Sequence, residues 1–237
     1  GAGIMVLSGR NTYSGGTTVN WGTLVAASNQ ALGTGLAAVN SGARLALGGL
    51  GTDLASVSLG NDILVKSGGI LSGSATLSGN TTLNAGSMLE FTLSMGGSAG
   101  NELAYNSLML QSGVFQIDAG AKLKLAAVSL DYSSDFWGTS HILNLIEGGA
   151  NASLKGAFTL DLSGAGNYGS YGSWSLQGDE DSKTVNMVWT PNAEAVLDHS
   201  ETAALLAAPS PAPVPEPSSA LLVLAGLGTC IFRRRVR

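Results

Sequence analysis

Cysteine is almost missing from this chain of 237 residues, which contains only Cys230. Neither a disulfide framework nor a thiolate metal cluster can form within one chain. Histidine is nearly as scarce: His141 and His199 are the only two, and they lack the short spacing of a metal-binding pair. No nucleophile-elbow motif accompanies them, so no residue pattern points to a Ser-His-Asp site. Charged residues make up 11 %, against a usual quarter, and the balance is acidic at −5. Four of the eleven Lys and Arg lie in the last five residues, which leaves seven basic against sixteen acidic groups and −9 for residues 1–232. Nucleic-acid binders gather Lys and Arg on one face, so an acidic body excludes that partner. Helical Glu-Lys-Leu patterning is also missing before residue 192.

Glycine is abundant, at 34 residues, alongside many Ser, Thr and Asn. Glycine supplies positive φ and Asn tolerates it, so this composition suits short strands and tight turns. The expected class is all-β. Five passages share one pattern: VNWGTLVA (19–26), VNSGARLAL (39–47), VKSGGILSG (65–73), LNAGSMLEF (83–91) and IDAGAKLKL (117–125). Each runs aliphatic, polar, any residue, glycine, and aliphatics resume two or three places later. The glycines are Gly22, Gly42, Gly68, Gly86 and Gly120, at separations of 20, 26, 18 and 34. A recurring turn glycine at this period predicts a solenoid, here a parallel β-helix. One coil cannot bury its own apolar face, but stacking would align Val19, Val39, Val65, Leu83 and Ile117 as an interior ladder. Five coils at a strand spacing of about 4.8 Å make a rod of roughly 24 Å. The competing architecture is an antiparallel sandwich with glycine turns.

The β-helical region is assigned to residues 1–127 and a β cap to 128–191. Alternation in HILNLIEGG (141–149), AFTLDLSGAG (157–166), YGSWSLQG (171–178) and KTVNMVWTP (183–191) predicts strands, with GDEDSK (178–183) as a hairpin turn. Trp137, Trp174 and Trp189 are expected to close the end of the solenoid, which would otherwise expose unpaired edges and core.

Residues 1–35 resemble the autotransporter-associated β-strand repeat. Leu7, Ser8, Gly9, Asn11, Thr12, Tyr13, Gly15, Gly16, Thr17, Gly22 and Leu24 carry the resemblance. It implies a β-helical, surface-exposed passenger and no catalysis, because the matching residues are turn and strand positions. The N-terminus has neither Met nor an export signal, and the chain is read as beginning within a longer protein.

Parallel β-helices include polysaccharide lyases, which line Asp on successive coils around calcium and use Arg or Lys as base. Asp118, Asp131 and Asp135 with Lys122 and Lys124 are the candidates here. Asp118 lies in the polar slot of the repeat, but its counterparts are Asn20, Asn40, Lys66 and Asn84, so no acidic ladder exists. Solvated surface charge is the better reading. Residues 178–181 lack the glycine and spacing of a calcium loop. The threonine pairs Thr17–Thr18 and Thr81–Thr82 serve too few coils for an ice-binding face. No catalytic residue, cofactor or metal ligand is assigned. A glycan-binding adhesin module, stacking sugars on Tyr13, Trp21 and Tyr105, is the principal alternative function, with a polysaccharide-active enzyme behind it.

Composition changes abruptly after Pro191. Residues 192–213 form an Ala-, Glu- and Pro-rich linker, and 214–237 a tail with an uncharged segment at 218–232. Fifteen helical residues rise about 22 Å, short of the roughly 30 Å hydrocarbon core, so the predicted transmembrane helix is a marginal anchor. The order Pro215, Glu216, Pro217, then a hydrophobic segment, then Arg233, Arg234 and Arg235 resembles the PEP-CTERM sorting signal. The resemblance implies export in a Gram-negative-type envelope and handling by an exosortase-like membrane protease. It also implies transient membrane anchoring before release or fixation at the cell surface or in the extracellular matrix. Envelope polysaccharide is a further expected partner. Without a large C-terminal barrel the chain is not expected to export itself.

Overall fold

The computed structural model describes residues 2–51, 53–96 and 102–193. Those residues belong to one compact unit, Gly1–His199. With the strands numbered in chain order, three parallel ladders carry the fold. The first joins β1 (Ile4–Leu7), β3 (Gly22–Ala26), β5 (Ala43–Leu47) and the start of β8 (Ile70–Leu77). It continues through β10 (Met88–Gly96), β13 (Lys122–Val128) and β15 (Thr159–Gly164). The second joins β2 (Thr17–Val19), β4 (Ala37–Val39), β7 (Ile63–Val65), β9 (Thr81–Leu83) and the end of β12 (Leu108–Ile117). The third joins β6 (Ser56–Leu59), the end of β8, the start of β12 and the middle of β14 (His141–Lys155). The result is an all-β, curled parallel sheet with β-helix-like winding.

Side-chain alternation explains why the coils stack. Successive residues of a strand point to opposite faces, so every second position can be interior. One interior column on the first ladder runs Met5, Leu24, Leu45, Leu71, Leu89, Leu123 and Leu160 in direct register. The second ladder aligns Val19, Val39, Val65, Leu83 and Ile117, all buried, in the same way. Each fully buried aliphatic side chain of this kind contributes about 1.5–3 kcal/mol.

The turn between the second and first ladders is built on glycine. Ala43 N donates to Asn40 O at 3.1 Å, and Gly69, Ser87 and Ala121 close the corresponding turns onto Lys66, Asn84 and Asp118. In these turns the third residue is Gly42, Gly68, Gly86 or Gly120, with φ between 75° and 90°, while the second residue keeps negative φ. That combination is a type II turn, which requires positive φ at its third residue. The turns also pair between coils: Gly42 N donates to Gly68 O, Gly68 N to Gly86 O and Gly86 N to Gly120 O, at 2.9–3.1 Å. Gly22 (φ 73°) differs, because its turn is one residue shorter and it opens β3 opposite Ala43.

The parallel winding does not stop at residue 127, since β14 and β15 add another coil to β12 and β13. At the far end the winding gives way to antiparallel structure, as β16 (Gly172–Asp179) and β17 (Thr184–Pro191) form a hairpin. β17 lies antiparallel on the first part of β14 and covers that end of the third ladder. Beneath it Trp137, Trp174 and Trp189 are buried with Tyr132, and the four rings pack at centroid distances of 4.8–5.8 Å. Trp189 Nε1 donates to Trp137 O at 2.8 Å, and Tyr132 donates its hydroxyl to Ala165 O at 2.9 Å while accepting from Trp174 Nε1 at 3.3 Å. Trp137 belongs to the one short 3₁₀ turn among the described residues, Asp135–Gly138. Among these residues no helix is long and apolar enough to cross a membrane.

Candidate functional site

The N-terminal loop, residues 8–16, carries the densest set of singled-out residues, of which Asn11 and Tyr13 bind the loop at residues 30–34. Asn11 donates from Nδ2 to Ala31 O at 2.7 Å, and its backbone N donates to Gln30 O at 3.0 Å. The Tyr13 hydroxyl lies 2.8 Å from Thr17 Oγ1 and reaches Ala31 O at 3.3 Å. Gly33 must lack a side chain, because a Cβ there would sit 2.3 Å from Tyr13 O. The following coil is tied on by Asn61, which is buried and donates to the carbonyls of Gly33 and Gly35.

Of the aromatic residues considered for sugar stacking, Trp21 is the most exposed. It is 71 % exposed, and its ring rests against the next turn, where a Cβ at Gly42 would approach it to 3.2 Å. Tyr13 has its hydroxyl engaged, and Tyr105 packs against the core from β11 (Glu102–Tyr105), the antiparallel partner of β10.

The charged candidates do not converge. Asp118 occupies the polar slot before its turn, where Asn20 and Asn40 make a side-chain bond of 2.6 Å between coils. Lys124 stands on β13 between Glu90 and Asp161 in register, 3.9 Å from the Glu90 carboxylate. Arg44 binds Glu90 more closely, at 2.6 Å. Asp161 is held below the usual carboxylate range, first by hydrogen bonds from Ser163 and then by the Lys122 and Lys124 charges. Asp131 is lowered too, by the Ser133 hydroxyl and backbone amide. Asp131 is exposed and locks its own turn, whereas Asp161 stands half-buried on β15 and accepts from Ser163 on the same strand. His141 opens β14, stacks on Phe136 at 4.2 Å and places Nε2 2.8 Å from Phe136 O. Among the described residues no group of three His, Cys, Asp or Glu is arranged to hold a metal ion.

His199, the segment 218–232 and the motif residues Pro215, Glu216, Pro217, Arg233, Arg234 and Arg235 lie outside the described residues. So does the linker 192–213 apart from its first two residues, of which Asn192 is fastened to the body through its Nδ2 bonds to Gly169 O and Ser170 O.

The passenger-associated-transport-repeat family model matches residues 1–26 and 64–88. No curated protein matches the chain. The similarity supports the autotransporter-associated resemblance of the first coil and extends it to a second stretch spanning β8 and β9. The two passenger-associated stretches also match each other at a spacing of 64 residues, a signal that the search for short glycine passages misses. Leu7, Ser8 and Gly9 recur as Leu71, Ser72 and Gly73; Thr17, Thr18, Asn20 and Gly22 recur as Thr81, Thr82, Asn84 and Gly86. Sequence reasoning likewise misses Arg44, Glu90 and Asn61, which meet their partners only after the coils have stacked.

Proposed function

We propose that the chain is an exported, non-enzymatic structural protein of the bacterial cell surface, a passenger-like stalk sorted through its C-terminal tail. The observation that carries this reading is the repeat match falling on stacked coils. Its glycines, asparagines and aliphatics serve turns, ladders and core, and a solenoid built this way sets length and rigidity. An exported surface setting is consistent with a repeat named for passenger transport. Catalysis forms no part of the proposal: Ala substitutions at Asp118, Lys122, Lys124, His141 and His199 are expected to leave biological activity intact.

The tail supplies the sorting step in this reading. Pro215, Glu216 and Pro217 form a stiff, extended element that an exosortase-like protease can hold with little entropy lost. Residues 218–232 insert as a marginal anchor, and Arg233, Arg234 and Arg235 keep their end at the cytoplasmic face. Converting Pro215, Glu216 and Pro217 to Ala is expected to leave insertion intact and block release, so that a tailed form accumulates in the membrane. Intact mass of the surface protein, measured beside the membrane fraction, reads the result. Surface-exposed protein that retains Arg237 and floats free of membrane overturns the sorting reading.

A second function is favoured by one observation, the exposure of Trp21, onto which a sugar ring can stack. Incubation with envelope glycans separates the readings: retention lost in Trp21→Ala establishes an adhesin, released product establishes an enzyme, and neither leaves a structural role.

A further inference from the structure

The loop between β15 and β16 departs from the charge of the cap around it. Residues 128–191 hold seven acidic and two basic side chains, a balance of −5, yet the 17 residues from 162 to 178 carry no charge. At their centre, Ala-Gly-Asn-Tyr-Gly-Ser-Tyr-Gly-Ser (165–173) is built almost wholly from tyrosine, glycine, serine and asparagine. In antibody loops this mixture joins rigid aromatic contacts to adaptable hydrogen-bonding groups. The loop is also held in place. Tyr171 N and Gly172 N both donate to Tyr168 O, at 2.9 and 3.1 Å, closing a turn with Gly169 and Ser170 at its tip. Asn192 fastens that turn, since its Nδ2 reaches Gly169 O and Ser170 O and its backbone N donates to Tyr171 O at 2.8 Å. The Tyr132 hydroxyl holds Ala165 O where the loop begins, and the Tyr168 ring meets Tyr132 edge-on at 6.3 Å. Tyr168 and Tyr171 stand at the two ends of one turn, so their Cα atoms lie within about 7 Å. Both rings pack against the core and are half-buried, while Asn167, Gly169 and Ser170 are exposed. Neither tyrosine hydroxyl has a partner among the described residues, and neither is sealed from solvent.

We propose that this turn is a binding site for a neutral glycan. Tyr168 and Tyr171 stack on sugar rings, and Asn167, Ser170 and the two phenol groups bond to sugar hydroxyls. The chemistry of the loop selects the class of ligand. A sugar ring offers an apolar C–H face and a rim of hydroxyls, and a packed aromatic ring with a free polar tip matches both. An acidic glycan needs cations, but the cap has only Lys155 and Lys183, both outside this loop, and the Lys183 ammonium is already bound by Gly149 O and Ala150 O. A stable protein partner needs roughly 800 Å² from each side. An aromatic side chain buries about 150–250 Å² in full, so two half-buried rings and a short turn fall well short of that. One or two sugar units fit what is offered. The site adds a binding function to the structural reading, rests on the export reading only for the source of the glycan, and is independent of Trp21.

Titration of the full chain with cellohexaose, maltohexaose and mannohexaose, by calorimetry and saturation-transfer NMR, is expected to show at least one binding with a dissociation constant of about 1 mM or below. Tyr168→Ala and Tyr171→Ala should each raise that constant about tenfold by removing a stacking face. Tyr171→Phe keeps the ring and should cost only severalfold, through the lost hydroxyl. Circular dichroism and the melting midpoint of the Phe variant should match the parent, which separates lost binding from lost fold. Trp21→Ala should leave the affinity unchanged. A chain that binds none of the three hexasaccharides overturns the proposal. So does binding lost in Trp21→Ala and kept in the tyrosine variants, which leaves the sugar on the β2–β3 turn, and so does a preference for hexagalacturonate, which marks an acidic ligand. Tyrosine-dependent retention of another surface protein, with no sugar bound, overturns it in favour of a protein interface. The export reading fails separately: protein kept inside the cell sinks that reading and leaves the measured affinity as it stands.

Discussion

Gly73 and Gly120 both have left-handed backbones, at φ 94° and 90°, yet they meet different surroundings. A Cβ at Gly73 would lie 2.0 Å from the Leu47 carbonyl oxygen, a backbone atom fixed by the neighbouring coil, whereas a Cβ at Gly120 meets nothing within 4 Å. Gly86 falls between them, with Ser67 Oγ at 2.6 Å, an atom that can rotate away. Backbone strain alone costs about 1–2 kcal/mol for a side chain in this region. Gly120→Ala and Gly86→Ala should therefore each lose about that much stability, and Gly73→Ala several times more, because two coils must separate to admit it. Urea midpoints of the three variants test the order. Equal losses at all three sites would show that φ strain, and not the close approach of coils, decides these positions.

Among the elements, the short strands and their turns were the legible part. Val19, Val39, Val65, Leu83 and Ile117 could be aligned from sequence because an aliphatic residue stands a fixed distance before each turn glycine, and local geometry turns that spacing into register. The cap was less legible. That three tryptophans belong at an end follows from their size and position. Tyr132 as their hub does not, because its partners Ala165 and Trp174 lie 33 and 42 residues away. β14, read from sequence as a strand over 141–149, runs to Lys155 without a break, since its second half continues a ladder that only stacking creates. The long turns at residues 8–16 and 27–36 were likewise hidden, as their hydrogen bonds are to each other. The cap carries a pH signature. Burial raises the Tyr132 pKa above the ordinary tyrosine value, and the hydrogen bond from Trp174 only partly offsets it. An unfolded tyrosine releases its proton near pH 10. Above that pH the unfolded chain holds fewer protons than the folded one, so stability falls as pH rises. Tyr132→Phe should lower stability at neutral pH by about 1–3 kcal/mol, through the unpaired Ala165 carbonyl and Trp174 indole. It should also flatten the alkaline loss measured by thermal melts from pH 8 to 11. An equally steep loss in the variant would place the titrating group elsewhere.

Over the described residues, the backbone ladders join each coil to the coils before and after it, with the Arg44–Glu90 pair reaching across β8 and hairpin β16–β17 folding back on β14. Stability in such an array is a sum of coil and interface contributions, and its ends need not melt together. The placement of indoles follows the same axis. Trp21 stands 71 % exposed on the turn between β2 and β3, while Trp137, Trp174 and Trp189 are 1 %, 5 % and 0 % exposed beneath the hairpin. The protein is thus its own two-channel optical probe, with a long-wavelength, acrylamide-quenchable emitter at one end and a short-wavelength, shielded trio at the other. Trp21→Phe should remove the quenchable component and leave the blue-shifted emission in place. Loss of the blue component instead would mean that the trio is open to solvent. Following the two emissions separately through a denaturant titration reports, without any label, which end of the array lets go first.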